Sequence, residues 1–353
     1  MSKMKNMGTF DGGVIGGGST NGGMGIRSQS STPIRMNDAQ IANGGAFLIS
    51  ELEKRDPKIR EPLMSLTYPR DIPVKTGGGW VEFISALNID YGITGGSGDG
   101  AVHAGGANNI PVIQANFGRD LFKTHLYSSI MRIMFVDMQR QQVTGRSLDQ
   151  LLTDGIRLNY DKHMEQNVYM GLPRFGTTGL LNNPNVIAQN VAVGSGASGS
   201  TEWRNKTPDE ILADINNAII AGWAAAEYDL SAIPNHILLP YEQYNYIATT
   251  KVTSIADKTI LTFLLENNTA KINGGDLFIG ATAWNKGAGA GGTDRMVAYV
   301  HNARFIAVEE LVPLARTMTQ PNIDALAYDS VYMANISEVE LFYLQPIVYF
   351  DGI

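Results

Sequence analysis

The side chains best suited to acid–base work or metal binding at neutral pH are five histidines: His103, His125, His163, His236 and His301. No two stand four residues apart, the spacing that sets both rings on one face of a helix around zinc, and a chain without cysteine has neither thiolate ligands nor disulfides. Each histidine is therefore read as a packing or surface residue. The carboxylate pairs Asp209-Glu210 and Glu309-Glu310 are adjacent, so their side chains diverge, and the first is accounted for by a helix start that favours negative charge. Glycine clusters invite a phosphate-cradle reading, but a P-loop needs Gly-Lys-Ser/Thr and no Gly-Lys pair occurs. A dinucleotide turn needs its glycines between a strand and a helix, whereas Gly16 to Gly23 lies in a polar leader and Gly95 to Gly106 joins two strand-like runs. No Gly-x-Ser-x-Gly elbow is present. These patterns point to no enzyme activity, no cofactor and no metal.

The elements that would position any site are easier to read. Residues from Asn37 to about Arg60 suggest a short helix ending near Pro57. Trp80-Val81-Glu82-Phe83-Ile84 alternates like a strand and Pro111 to Phe117 returns, giving a long two-stranded arm with a glycine-rich tip at Gly95 to Gly106. Such a hairpin is marginal in water unless it lies on other surface. Leu121 to Val136 reads as more strand, or as a mixed approach to the next helix. Ser147 and Gln150 form a capping box, and Leu148, Leu151, Leu152, Ile156, Tyr160, Met164 and Val168 then recur at helical spacing as far as Gly171 and Pro173. A helix from Leu148 to Met170 would be about 35 Å long. Thr207-Pro208-Asp209-Glu210 opens another helix with the stripe Ile211, Leu212, Ile215, Ile219 and Trp223. Beyond it come a strand at Ile237 to Leu239, helices at Tyr241 to Thr249 and Asp257 to Asn267, and a strand at Leu277 to Ala283. The C-terminal part is strand-rich, with candidates at Val297 to Val300, Phe305 to Val308, Tyr328 to Ala334 and Val339 to Phe350. The architecture expected is α+β.

Composition narrows the class. In 353 residues there are 27 Lys+Arg and 34 Asp+Glu, a net charge of -7, which speaks against a basic nucleic-acid reader. The longest uncharged run, Phe175 to Thr201, is too polar to span a membrane, and the residues after Lys3 and Lys5 are too polar for a secretory signal, so a cytoplasmic origin is expected. Glycine is in excess, 39 residues or about 11% against roughly 7% in average proteins. Nine fall in residues 1 to 30, ten in 77 to 106 and seven from Gly274 to Gly292. The first segment, through about Met36, has too little apolar content to pack by itself, and glycine loses more entropy on ordering than any other residue. An ordered arm there implies support from a partner subunit, and the chain is expected to keep its own N-terminus.

An N-terminal arm, a long strand-rich loop, a long helix ending in Gly171, the segment Tyr169-Met170-Gly171-Leu172-Pro173-Arg174-Phe175-Gly176-Thr177-Thr178-Gly179-Leu180-Leu181-Asn182-Asn183-Pro184 and then a mixed domain follow one another along nearly the whole chain. This order resembles that of tailed-bacteriophage major capsid proteins of the Hong Kong 97 type. The resemblance implies an N-terminal arm over 1–67, an extended loop over 68–125, a peripheral domain over 126–204 with its spine helix at 147–170, an axial domain over 205–300, and a return to the axial and peripheral sheet over 301–353. It implies self-assembly as pentamers and hexamers into an icosahedral head around double-stranded DNA, which is enclosed without being read. Scaffolding, portal and decoration proteins are further candidate partners, a membrane is not, and the location implied is the virion after synthesis in the host cytoplasm. Some members cross-link through a loop lysine. Here Lys75, at the loop's root, is counted as its only lysine, so a shell held by non-covalent contacts is expected.

Trp80, Phe83, Phe117 and Arg119 are the candidates for intersubunit contact. Trp80 lies on an arm where an intramolecular core is thin, whereas Trp203, Trp223 and Trp284 suit the core or an interface. An encapsulin-like compartment shell shares the same reading and would differ by a pocket for a cargo peptide. An isolated mixed enzyme with flexible glycine loops would instead be a stable monomer with activity.

Overall fold

A computed structural model describes residues 64–94, 112–144, 148–195, 199–253 and 257–353. The glycine-rich leader, the expected helix between Asn37 and Arg60, the loop tip at Gly95 to Gly106, His103 and the Ser147 cap lie outside the described residues.

The chain enters through a one-turn helix, α1 (Tyr68–Asp71), and a short strand, β1 (Val74–Thr76). β2 (Phe83–Thr94) and β3 (Val112–Met134) then pair antiparallel from Phe83↔Lys123 to Thr94↔Val112. The uncertain stretch Leu121 to Val136 is thus a continuation of strand β3, which runs to Met134 before α2 (Phe135–Thr144) begins. The spine helix, α3, spans Leu148–Met170. Its buried residues Ile156, Tyr160, Met164 and Val168 belong to the three- and four-residue stripe of the sequence.

Past α3 come β4 (Ile187–Asn190) and α4 (Pro208–Ala225). The capping box of α4 is closed in both directions: Glu210 N–H donates to Thr207 Oγ1, and Thr207 N–H donates to Glu210 Oε2 at 2.8 Å. Then follow β5 (His236–Pro240), α5 (Tyr241–Thr249), α6 (Ile260–Glu266), α7 (Thr269–Ile272), β6 (Phe278–Thr282) and β7 (Arg295–Tyr299). The C-terminal part holds β8 (Ile306–Asn322), β9 (Ala327–Ser337), β10 (Glu340–Leu341) and β11 (Val348–Asp351).

Two of these strands differ from expectation. β8 runs far beyond Val308, because ladder irregularities between Glu310 and Ala315 accommodate Pro313, which would interrupt a regular strand. The stretch Val339 to Phe350 is two short strands, since Pro346 cannot donate to a ladder and the chain turns before it.

Two sheets result. One has the order β4-β11-β7-β5-β6, and both its faces are covered. Ile237, Leu239, Met296, Ala298, Val348 and Phe350 face Ile211, Ile215, Ala218 and Ile219 of α4, while Leu238, Val297, Tyr299 and Tyr349 join the core formed with Tyr160, Met164 and Val168 of α3. Burial on both faces is why these strands read as unbroken apolar runs. The other sheet has the order β1-β8-β9-β3-β2, with β10 on β8. Its odd-numbered β3 positions Met131 and Ile133 pack with Tyr332 against Ile156 of the spine.

The segment between Gly171 and Asn183 shows what its glycines are for. Gly171 adopts φ +68°, and an added Cβ would sit 2.6 Å from Thr177 O; one on Gly179 would sit 2.4 Å from Tyr169 C. This close return lets Leu180 and Leu181 N–H donate to Val168 O and Tyr169 O, at 2.9 and 3.0 Å. Asn182 completes the cap, accepting from Gly179 N–H and donating to Met170 O, both at 2.7 Å. The last carbonyls of the spine are satisfied by this motif.

Candidate functional site

Two places bring distant residues together. The first is a buried polar junction around Asp71, whose side chain is fully enclosed. It accepts from Arg70 Nε and Nη2 at 2.6 and 2.9 Å, from the Tyr169 hydroxyl of α3, and from His236 Nε2 of β5 at 3.4 Å. Tyr299 Oη of β7 donates to the Asp71 carbonyl at 2.6 Å. Next to it Glu165 accepts from Thr67 N–H, Thr67 Oγ1 and Tyr68 N–H, holding the start of α1 to the spine. Burial opposes the charge on Asp71, but hydrogen bonds from His236, Arg70 and Tyr169 outweigh it and hold the carboxyl below the usual carboxylate range. Burial likewise holds His236 below the usual imidazole range, against the pull of Asp71.

His236 stacks on Phe278 at 4.4 Å and on His301 at 4.9 Å. These two histidines meet although they are far apart in sequence, and spacing gave no sign of it. Among the described residues no serine, threonine or lysine side chain hydrogen-bonds to the Asp71 carboxylate or the His236 ring. Among the described residues no group of three or more His, Asp or Glu could hold a metal ion, and no helix is long and apolar enough to cross a membrane. The junction ties the chain's entry, the spine helix and the doubly covered sheet into one body.

The second place is the β2–β3 hairpin. Beyond Thr124, where β3 stops pairing with β9, the hairpin is two strands wide for twelve residue pairs, about 40 Å. Successive side chains alternate between faces, and paired residues share one. One face carries Phe83, Leu87, Ile89 and Tyr91 of β2 beside Phe117 and Leu121 of β3, each between 47% and 69% exposed. The other carries Asn88, Asp90, Asp120, Asn116 and Gln114, with Asn88 Nδ2 bonded to Asp120. The apolar face continues the odd-numbered side of β3 that packs on the spine within the body. The alternation that builds the core thus runs on past the core's edge, onto a surface that no described residue covers.

The four residues singled out in the sequence sit here. Phe83 and Phe117 are on the apolar face, at 56% and 69% exposure. Arg119 shares that face, opposite Leu87, and is exposed. Trp80, 56% exposed, precedes β2 at the root. Sequence reading missed Leu87, Ile89, Tyr91 and Leu121, although their odd-numbered alternation was available to find them. Lys123, not counted among the loop lysines, also lies at the root and donates from Nζ to Phe175 O at 3.1 Å.

At that root Gly77, Gly78 and Gly79 take φ of +116°, +121° and +78°, a region that side-chain-bearing residues rarely adopt. Gly77 and Gly79 N–H donate to Glu310 O and Leu311 O at 3.2 Å. Asn335 Nδ2 donates to Gly79 O and Val81 O at 3.1 Å. The chain enters the arm on the β2 side through three glycines, whereas β3 continues from arm to body as one strand.

Over residues 98–353 the sequence matches the family described as Major capsid protein. No curated protein sequence matches the chain. Among solved structures it is similar to the capsid of Myoviridae phage XM1, with a TM-score of 0.70 at 17% identity over 86% of this chain and 98% of that one. It is also similar to a structure from Microbacterium phage Oxtober96, with a TM-score of 0.55 at 11% identity over 84% and 92%. The capsid of a native GTA particle gives 0.53 at 14% identity over 90% and 99%.

Proposed function

Because the chain belongs to the major capsid protein family and has the Hong Kong 97-type fold, we propose that it self-assembles as pentamers and hexamers into the icosahedral head that encloses double-stranded phage DNA. The observation that carries this reading is the uncovered apolar hairpin face. A contiguous exposed apolar surface of several large side chains marks an interaction site, and each such side chain contributes about 1.5–3 kcal/mol when covered. A hairpin whose apolar face is covered by no described residue gains support by lying across a neighbour, so ordering and assembly are coupled. Trp80, Phe83, Phe117 and Arg119 are proposed contact residues, with the apolar side chains as anchors and Arg119 selecting an acidic group opposite.

The division into arm, extended loop, peripheral domain and axial domain is part of the same proposal, with the loop over 68–125 and the spine at its base. Both Lys75 and Lys123 stand at the loop's root, which supports a shell held without covalent cross-links. Packaged DNA would be confined cargo, consistent with a net charge of -7 that does not favour binding to phosphates. Portal, scaffolding and decoration proteins fit as partners in the virion, following synthesis in the host cytoplasm. The test is the native particle, by electron microscopy and light scattering. Closed icosahedral shells, with DNA in particles from infected cells, are expected; a monodisperse monomer at high concentration would falsify the reading.

A further inference from the structure

Five residues at the end of the long sheet, Glu338 to Phe342, touch the root of the hairpin from three directions. The Glu338 carboxylate accepts from Lys123 N–H at 2.7 Å, while Glu338 N–H donates to Lys123 O at 3.0 Å. Phe342 meets Phe122 edge to face, with ring centroids 5.5 Å apart. Between them Glu340, on β10, is fully enclosed, and neither of its carboxylate oxygens has a hydrogen-bond partner among the described residues. Lys123 and Phe122 are the positions where β3 leaves the body, and the glycine run Gly77 to Gly79 is where β2's strand leaves it. The five residues therefore sit as a clasp beside the glycine crossing.

An unpartnered buried carboxyl is expensive to ionise. The charged groups around it do not relieve that. Register places Glu340 opposite Ala307, two residues from Glu309 on the same side of β8, and Glu309 lies opposite Lys75 of β1. The Lys75 ammonium is 3.8 Å from Glu309 and 5.0 Å from the centre of the Phe342 ring. Lys75 thus faces two carboxylates, Glu309 and Glu340, while Glu338 lies against Lys123. The other nearby ammonium, Lys123, is directed to Phe175 O. Ser337 Oγ is engaged with Glu338 O and Glu309 N–H, both at 2.8 Å.

We propose that Glu338 to Phe342 form a proton-controlled clasp on the hairpin: with Glu340 protonated the clasp seats against Phe122 and Lys123, and with Glu340 ionised it is released and the hairpin turns about Gly77 to Gly79. Burial first, and the Glu309 charge second, push the Glu340 carboxyl up to about 7 against the opposing pull of the nearby Ser337 hydroxyl and Lys75, and burial raises Glu338 as well. A carboxyl raised in the seated form binds its proton more tightly there, so seating is favoured in acid and is lost as pH rises toward and through 7. The shift from 4.5 to about 7 corresponds to a roughly 300-fold change in the seated-to-released ratio. This rests on the assembly reading only for its consequence, since the clasp itself lies within one subunit.

The experiment is amide hydrogen exchange on the full-length subunit between pH 5.5 and 8.5, corrected for intrinsic exchange rates, followed at residues 75–82 and 121–126. The root is expected to exchange at least tenfold faster at the alkaline end, with a midpoint near 7. Glu340→Gln, a permanently uncharged stand-in, is expected to stay protected throughout, and Glu309→Gln to move the midpoint toward lower pH, because the Glu309 charge is one of the causes that raise the Glu340 carboxyl. A midpoint that stays in place or moves upward in Glu309→Gln would show that the Glu309 charge does not act on Glu340 and overturn the clasp. A flat wild-type profile, or a Glu340→Gln profile that follows wild type, overturns the proposal even if the protein assembles normally. Failure to assemble with the clasp intact would overturn the assembly reading alone.

Discussion

The Asp71 junction and the hairpin are opposite solutions to the same problem of holding distant chain segments together. The junction buries polar groups and satisfies them internally: Asp71, Arg70, Tyr169, His236 and Tyr299 close on one another within one subunit. The hairpin exposes apolar groups and leaves them uncovered, with Leu87, Tyr91 and Phe117 each about two thirds exposed. A closed polar network fixes geometry because each partner has a defined direction, whereas an apolar strip takes any surface of suitable shape. The difference teaches that this subunit keeps its rigidity inside and its adaptability at its edge, as a tile with several neighbours requires.

The largest effect expected is on the hairpin. Replacing Leu87 and Phe117 together by Asp removes two apolar anchors and places carboxylates where a neighbour would cover them. At about 1.5–3 kcal/mol for each anchor the assembly threshold should rise by at least a hundredfold. The isolated subunit should keep its thermal midpoint within about 2 °C, because exposed substitutions seldom change stability by more than about 0.5 kcal/mol. Light scattering reads the first quantity and a thermal melt the second. Normal shells from this variant would remove the hairpin face from the argument, and a collapsed melt would show that the face already has a partner within the chain.

The reverse pattern is expected at the junction. Asp71→Ala leaves the Tyr169 hydroxyl and His236 facing an empty acceptor position in the interior, at about 1–3 kcal/mol each, while the partly exposed Arg70 can turn to water. For a body of this size the two losses together are a fall in thermal midpoint of roughly 6–15 °C. A loss below about 2 °C would mean that the junction contributes little and that the apolar clusters alone hold the entry helix to the spine.

The two regions were not equally legible. Leu148 to Met170 announced itself because seven apolar residues repeat at helical spacing, and Thr207 to Glu210 because a capping box is a local device whose partners are three residues apart. The hairpin was legible as two strands, and its face lay in the alternation of Phe83, Leu87, Ile89 and Tyr91, though only two of the six apolar residues were singled out. The junction was invisible. Tyr299 reaches back 228 residues to Asp71, and Glu165 reaches 98 to Thr67, so no spacing rule could connect them. Pro313 hid the length of β8 for a related reason: a bulge that absorbs a proline depends on the partner strand.

The smallest effect expected separates the regions by pH. His236 is held below its usual range chiefly by burial, so the folded subunit binds its proton less readily than the unfolded chain does. Its contribution to stability is therefore complete above the ordinary imidazole value near 6.5 and is lost as pH falls below it, and the lowered Asp71 carboxyl adds a second loss below about 4. His236→Gln should flatten the decline in thermal midpoint between pH 6.5 and 5 by about 2–4 °C, the shift that 1 kcal/mol produces in a body of this size. The flattening is partial because burial also lowers His125 and His163, which keep their share of the slope. An unchanged slope would place the acid sensitivity at those two residues. The sign is what matters for the comparison: protons loosen the junction, while protonation of Glu340 seats the clasp at the hairpin's root. Acid therefore acts on the interior and on the arm in opposite directions, and a single titration followed at both places distinguishes them.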